Sequence, residues 1–172
     1  PTVVSMRLFA AAHPPRAARE HLVRAMAEVR ALTGTALRWG DPEQWHLTLA
    51  FYGDQPEGAV PDLSEHLREV ARSFPPLRVS LHGAGSFSGT TLWVGVAGQT
   101  AELTDLMHAC SLDPDERARQ RAHLTVARTS RTERARQAKE RRRGSRVRAH
   151  SGPELAHVVH ALSVYEGPEW TV

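Results

Sequence analysis

Apolar residues along this chain follow two periods that alternate from segment to segment. Val4, Met6 and Leu8 alternate against Val3, Arg7 and Phe9, so Val3–Ala11 reads as a strand. Pro14-Pro15 ends it and opens a helix, in which Leu22, Ala25, Met26, Val29 and Leu32 keep helical spacing up to Gly34, a C-cap. A second helix starts at Pro61, carries Leu63, Leu67, Val70, Ala71 and Phe74 on one face, and stops at Pro75-Pro76. A third runs from Thr100 to Cys110, with Leu103, Leu106, Met107 and Cys110 at i, i+3, i+4 and i+7. Between these lie strand-like runs: Trp45–Phe51, Leu77–His82, Thr91–Ala97, His123–Arg128 and Leu155–Tyr165, several bounded by Gly, Pro or Ser. The pattern predicts an α+β fold with helices packed on sheets, antiparallel and mixed pairing both remaining open. No linker divides the chain, so a single domain over residues 1–172 is expected.

Composition narrows the class. Hydrophobic residues at 41% and charged residues at 24% fit a globular protein. No apolar run approaches the ~18–20 residues that span a bilayer, so no membrane association is expected. Pro1-Thr2-Val3-Val4-Ser5 shows no basic stretch leading into an apolar one, and no secretory leader is expected. Cys110 is the single cysteine; it reads as a small buried hydrophobe and suits a reducing, cytoplasmic setting. The net charge of +3 hides an asymmetry. Residues 131–148 hold nine Arg or Lys against Glu133 and Glu140, which leaves the remainder of the chain acidic. A basic block on an acidic body is a candidate surface for a polyanion.

One internal similarity stands out. Trp45-His46-Leu47-Thr48-Leu49-Ala50 is echoed by Ala122-His123-Leu124-Thr125-Val126-Ala127, about half the chain later. Chance supplies roughly 0.7 His-x-Thr triplets in a chain of this composition, so either copy alone means little. Shared flanking residues, strand-like context and the half-chain spacing give the pair its weight, and they suggest two halves related by approximate twofold symmetry.

Strand geometry turns the motif into chemistry. Side chains at i and i+2 share a face, so His46 projects with Thr48 and His123 with Thr125, while Leu47, Leu49, Leu124 and Val126 turn toward the core. Two such strands set opposite each other line a groove with two imidazoles and two hydroxyls. One neutral imidazole takes a proton from water while the other, protonated, donates to a leaving oxygen. The hydroxyls hold the non-bridging oxygens of a phosphodiester. No metal, cofactor or covalent nucleophile is called for.

At these residues the chain resembles the two-histidine phosphoesterase superfamily, specifically the bacterial and archaeal RNA 2′,3′-cyclic phosphodiesterase (2′-5′ RNA ligase) family. The resemblance extends through Arg7-Leu8-Phe9-Ala10, Arg38-Trp39, Phe51-Tyr52-Gly53-Asp54, Gly83-Ala84-Gly85-Ser86-Phe87, Leu92-Trp93-Val94-Gly95-Val96 and Ala127-Arg128, and more loosely through 162–166. It implies a bilobal α+β fold, with two pseudo-symmetric helix-on-sheet lobes around a central groove. It also implies opening of RNA 2′,3′-cyclic phosphate ends to a 2′-phosphate, with a reverse-sense ability to join ends through a 2′-5′ linkage. In it His46 and His123 are the acid–base pair, with His123 as base and His46 as acid by analogy. Thr48 and Thr125 bind the phosphate, and Arg128 and Phe9 contact substrate. A monomer is expected. Three departures stand: Ala10 follows Phe9 where the family often has a second aromatic, Arg119-Gln120-Arg121-Ala122 replaces its usual Phe-x-Pro before the second histidine, and the 131–148 block is unusually rich in arginine. With Arg117, Arg119, Arg121 and Arg128, that block would form a cationic rim for RNA.

Three other readings compete. A relative acting on a small cyclic nucleotide such as ADP-ribose cyclic phosphate shares the motifs but has no use for a wide basic surface. A non-catalytic RNA-binding module explains the arginines and not the histidine pair. A metallohydrolase lacks any recognisable ligand pattern, since His157 and His160 fall on opposite sides of a strand at 155–165. His13, His21, His66, His82, His108 and His150 show no partners in the sequence.

Overall fold

Buried and outward-facing residues alternate most clearly at 78–82, 91–95 and 123–126, and this decides how the chain is layered. A computed structural model describes residues 5–113, 115, 120–142 and 153–172. Its strands are β1 (Ser5–Ala12), β2 (Leu37–Trp39), β3 (Leu47–Pro56), β4 (Arg78–Phe87), β5 (Thr91–Gly98), β6 (His123–Thr129) and β7 (Trp170–Thr171). The helices are α1 (Arg16–Thr33), α2 (Val60–Ser73), α3 (Thr100–Cys110), α4 (Arg131–Arg142) and α5 (Pro153–Ala161). The strands form one sheet in the order β1-β3-β6-β5-β4-β7, with β2 alongside β6, and every strand pairing among the described residues is antiparallel.

Strands β3 and β6 meet at one rung. Leu47 of β3 pairs with Leu124 of β6, and the two side chains are 1% and 0% exposed. Outward from that rung, β1 flanks β3 on one side and β5 flanks β6 on the other. Helix α3 packs on β3, with α2 against it, whereas α5 packs on β4 and contacts α1. The bilobal, helix-on-sheet arrangement expected from the sequence is therefore realised as two wings of one continuous sheet.

Most elements fall where hydrophobic spacing puts them. Helix α3 has the expected bounds, and Gly34 caps α1 with a φ of 49°, in the region that glycine enters without a Cβ penalty. The buried stripe of α1 is Ala18, Leu22, Met26, Val29 and Thr33; Ala25 and Leu32, expected on that stripe, are exposed.

One expected element is of the wrong type. Residues 155–165 form no strand: α5 covers Pro153–Ala161 and a turn follows. Leu155, Val158, Leu162 and Tyr165 are the buried positions, at helical spacing, and the adjacent Val158-Val159 pair gave the segment a β-like look. His157 and His160 thus sit on a helix. Of the basic block, residues 131–142 are helical, while 143–148, together with Arg117 and Arg119, lie outside the described residues. No helix among the described residues is long and apolar enough to cross a membrane.

Candidate active site

The rung between Leu47 and Leu124 fixes the site. Its antiparallel register sets His46 level with Thr125 and Thr48 level with His123. The leucines point to the core, so the four polar side chains share the opposite face. His46 and His123 are then diagonal neighbours across the pair, their backbone positions about 7–8 Å apart. The four sequence-predicted residues come together on one surface, all of them partly exposed.

Both histidines are held in the same way. The Nδ1–H of His46 donates to the carbonyl of Gln44 at 2.8 Å, and the Nδ1–H of His123 donates to the carbonyl of Arg121 at 2.7 Å. A carbonyl only accepts, so each bond places the ring hydrogen on Nδ1 and leaves Nε2 as the atom that exchanges a proton. The first carbonyl is set by the 3₁₀ turn Pro42–Gln44, capped by Asp41, whose carboxylate accepts from the Glu43 N–H. The second follows Gln120, whose side-chain amide donates to the Leu49 carbonyl. That tie anchors the approach to His123 in a segment without the family's Phe-x-Pro.

The backbone repeat goes one step further. In the β1–β3 pairing Ala10 faces Ala50 and Ala11 faces Thr48, which leaves Leu49 as an extra residue. In the β5–β6 pairing Leu92 faces Ala127 and Trp93 faces Thr125, which leaves Val126 as the extra residue. Each motif therefore carries a β-bulge three residues after its histidine. A bulge shifts the alternation by one. Strict alternation would send Arg128 toward the core; with the bulge, Val126, Ala127 and Thr129 are buried and Arg128 is exposed. Arg128 donates to the Thr91 hydroxyl at 3.2 Å.

Aromatic rings flank both histidines. Phe9, half exposed, stacks on His46 with ring centroids 5.1 Å apart, and His13 meets His46 edge-on at 6.0 Å while its own Nδ1–H donates to the Trp45 carbonyl. Phe87 meets His123 edge-on at 4.8 Å, with Trp93 behind at 6.4 Å. Two features seat this second group. The Ser88-Gly89 turn of the β4–β5 hairpin has φ values of 50° and 63°, the primed geometry that suits strand twist. At Gly85, directly opposite Trp93, a Cβ would fall 2.3 Å from the indole, so only glycine leaves room for that ring.

The hydroxyls of Thr48 and Thr125 accept no hydrogen bond from, and donate none to, the described residues. An apolar cavity of about 550 Å³, lined in part by Leu49, Leu67, Val70, Phe74 and Leu106, reaches the histidine face through Phe9 and is lined by neither histidine. Its titratable member is Cys110, a buried thiol that desolvation pushes up to about 11. Sequence reasoning gave no role to His13, Phe87, Trp93, Gly85 or Gln120. Strand-to-strand register places Gly85, Phe87 and Trp93, His13 follows the end of β1, and no local pattern announces them.

A sequence model described as LigT like phosphoesterase matches residues 13–98. An RNA 2′,3′-cyclic phosphodiesterase of Archaeoglobus fulgidus is 32% identical over 135 residues, which cover 73% of this chain and 74% of that protein. The crystal structure of TT0787 of Thermus thermophilus aligns with a TM-score of 0.62 at 25% identity, covering 97% of this chain and 84% of the other. E. coli LigT complexed with phosphate aligns with a TM-score of 0.60 at 26% identity, covering 72% of this chain and 71% of the other.

Proposed function

Since the chain belongs to the LigT-like phosphoesterase family, we propose that it is an RNA 2′,3′-cyclic phosphodiesterase in which His46 and His123 carry the two proton transfers. The observation that carries this reading is the matched pair of Nδ1–H bonds to backbone carbonyls, which leaves both Nε2 atoms free on two strand positions that share one face as diagonal neighbours. A phosphoryl group between them can take a hydrogen bond from each side.

The reaction runs in line. A neutral imidazole takes a proton from water, and the water oxygen bonds to phosphorus. The opposite imidazolium gives its proton to the departing 3′ oxygen as the P–O3′ bond breaks, leaving a 2′-phosphate and a 3′-hydroxyl. Thr48 and Thr125 donate hydroxyl hydrogen bonds to the non-bridging oxygens, and Arg128 offsets the charge that builds there. A ribose 5′-hydroxyl in place of water gives a 2′-5′ linkage by the same step. Phe9 offers its exposed ring for stacking against a base. No step calls for a metal, because the two imidazoles supply both proton transfers. We read the protein as a single-domain monomer of the cytoplasm, in keeping with a lone buried cysteine and one continuous sheet.

The test is incubation of an RNA ending in a 2′,3′-cyclic phosphate with the protein in excess EDTA. The expected product is the 2′-phosphate. No turnover, a 3′-phosphate, or activity that disappears with chelation overturns the assignment.

A further inference from the structure

Beside the histidine groove, β6 changes partner. Leu124 pairs with β3, but after the bulge Ala127, Arg128 and Thr129 pair with Trp39, Arg38 and Leu37 of β2. Arg38 and Arg128 are therefore directly opposite each other on one face, both exposed. Like charges in that position destabilise a sheet unless something neutralises them. Beyond them opens a cavity of about 510 Å³ lined by Gly34, Thr35, Leu37, Arg38, Arg128, Thr129, Ser130, Arg131 and Arg134. Arg131 and Arg134 sit one turn apart at the start of α4, so they share a face of that helix.

Four guanidiniums line this cavity and no carboxylate does. Among the described residues, Arg38, Arg131 and Arg134 make no ion pair. The nearest acid along α4, Glu133, is engaged elsewhere. It takes bidentate hydrogen bonds from Arg136 and a third from Gln137, and the Arg136 bonds hold its carboxyl below the usual range. Thr129 and Leu37, the next pair along, are buried on the opposite face and form the floor beneath the arginine pair. The N-terminal end of α4 adds partial positive charge at this end of the cavity.

A smaller cavity borders both places. It is lined by Arg38, Trp39, Gly40, Thr125, Val126, Ala127 and Arg128, so it shares Thr125 with the histidine groove and both arginines with the cationic cavity. Because Val126 is the extra residue of the bulge, Thr125 and Arg128 lie only two pairing steps apart along β5, from Trp93 to Thr91, or about 7 Å, the order of one nucleotide.

We propose that the cavity lined by Arg38, Arg131 and Arg134, with Arg128 at its junction with the reacting phosphate, is a second phosphate subsite, taking the phosphodiester that precedes the terminal cyclic phosphate. This rests on the cyclic-phosphodiesterase reading of the histidine groove. The terminal ribose carries the reacting phosphate, and the next anionic group in an RNA chain is the linkage on its 5′ side. Bidentate guanidinium contacts there register the strand and hold the terminal phosphorus between the histidines. The enzyme thereby reads length: a dinucleotide fills both subsites and a mononucleotide fills one.

The test compares kcat/KM for a nucleoside 2′,3′-cyclic monophosphate, a dinucleotide ending in the cyclic phosphate, and the same dinucleotide with a neutral methylphosphonate linkage. The wild type is expected to favour the charged dinucleotide over the other two by roughly tenfold or more. In the Arg131→Gln/Arg134→Gln double variant that preference falls toward unity, and the salt dependence of dinucleotide turnover becomes shallower by about one unit of log–log slope for each guanidinium removed from the phosphate. Both positions are exposed on a helix, and a matching thermal midpoint verifies the fold. Equal use of all three substrates by the wild type, or a preference that survives in the double variant, overturns the subsite. Failure to turn over any of the three refutes the underlying phosphodiesterase reading instead.

Discussion

Leu47 and Leu124 face each other across the boundary between β3 and β6, and their pairing is the rung that puts His46 and His123 on one surface. Each leucine follows its histidine and is fully buried, so the residue that anchors the strand also sets the register of the chemistry. Truncating either to alanine should cost about 2–5 kcal/mol of stability by leaving a cavity, measured by denaturant titration. In whatever fraction stays folded, kcat should fall with KM little changed, since the loss is in placing the histidines and not in holding the RNA. Full activity in a destabilised Leu124→Ala protein would separate the rung from catalysis.

Phe9 and Phe87 should have unequal roles despite their similar positions. Phe9 stacks on His46 and leaves half its surface open, so Phe9→Ala should raise KM as well as lower kcat. Phe87 meets His123 edge-on and buttresses it. Phe87→Ala should lower kcat by roughly tenfold with KM near wild type. Steady-state kinetics on one cyclic-phosphate substrate distinguishes the two patterns.

Gly85→Ala should act at a distance. A methyl group there meets the Trp93 indole at 2.3 Å, and Trp93 stands behind His123. The ring must shift, at a cost of about 1–3 kcal/mol, and the His123 environment should shift with it. The expected signature is a changed His123 ring resonance in NMR while that of His46 stays in place.

Cys110 should be inert to alkylation in the native state. Burial raises its thiol from 9.0 to about 11, so it is neutral and enclosed at pH 8. Iodoacetamide should label it only after unfolding. The folded state keeps a proton that the unfolded chain releases above pH 9, so this contribution to stability is complete below pH 9 and lost as pH rises toward 11. Tyr165, raised from 10.0 to about 12 by burial, works in the same direction slightly higher. Stability that rises between pH 9 and 11 would contradict both.

The sequence carried the site further than the fold. His46, Thr48, His123 and Thr125 were legible because a strand's period of two puts them on one face and because the motif occurs twice. Arg128 was legible only by resemblance: strict alternation sends it inward, and the bulge at Val126 that turns it outward is a property of the pairing with β5. His13, Phe87 and Trp93 reach the histidines from other strands and loops, so nothing in their local sequence marks them. The segment from Leu155 misled because Leu, Val and Val satisfy both periods over so short a stretch, and packing against β4 and α1 decided for helix.

The most direct measurement of the central claim is the pH dependence of kcat/KM on a cyclic-phosphate RNA for the wild type, His46→Ala and His123→Ala. With one imidazole accepting and the other donating, the wild-type profile is bell-shaped. Each variant should lose at least a hundredfold in rate, and the residual activity should lack one limb, a different limb in each. A variant within a few-fold of wild type, or two variants that lose the same limb, would contradict a pair of opposed histidines acting on one phosphorus.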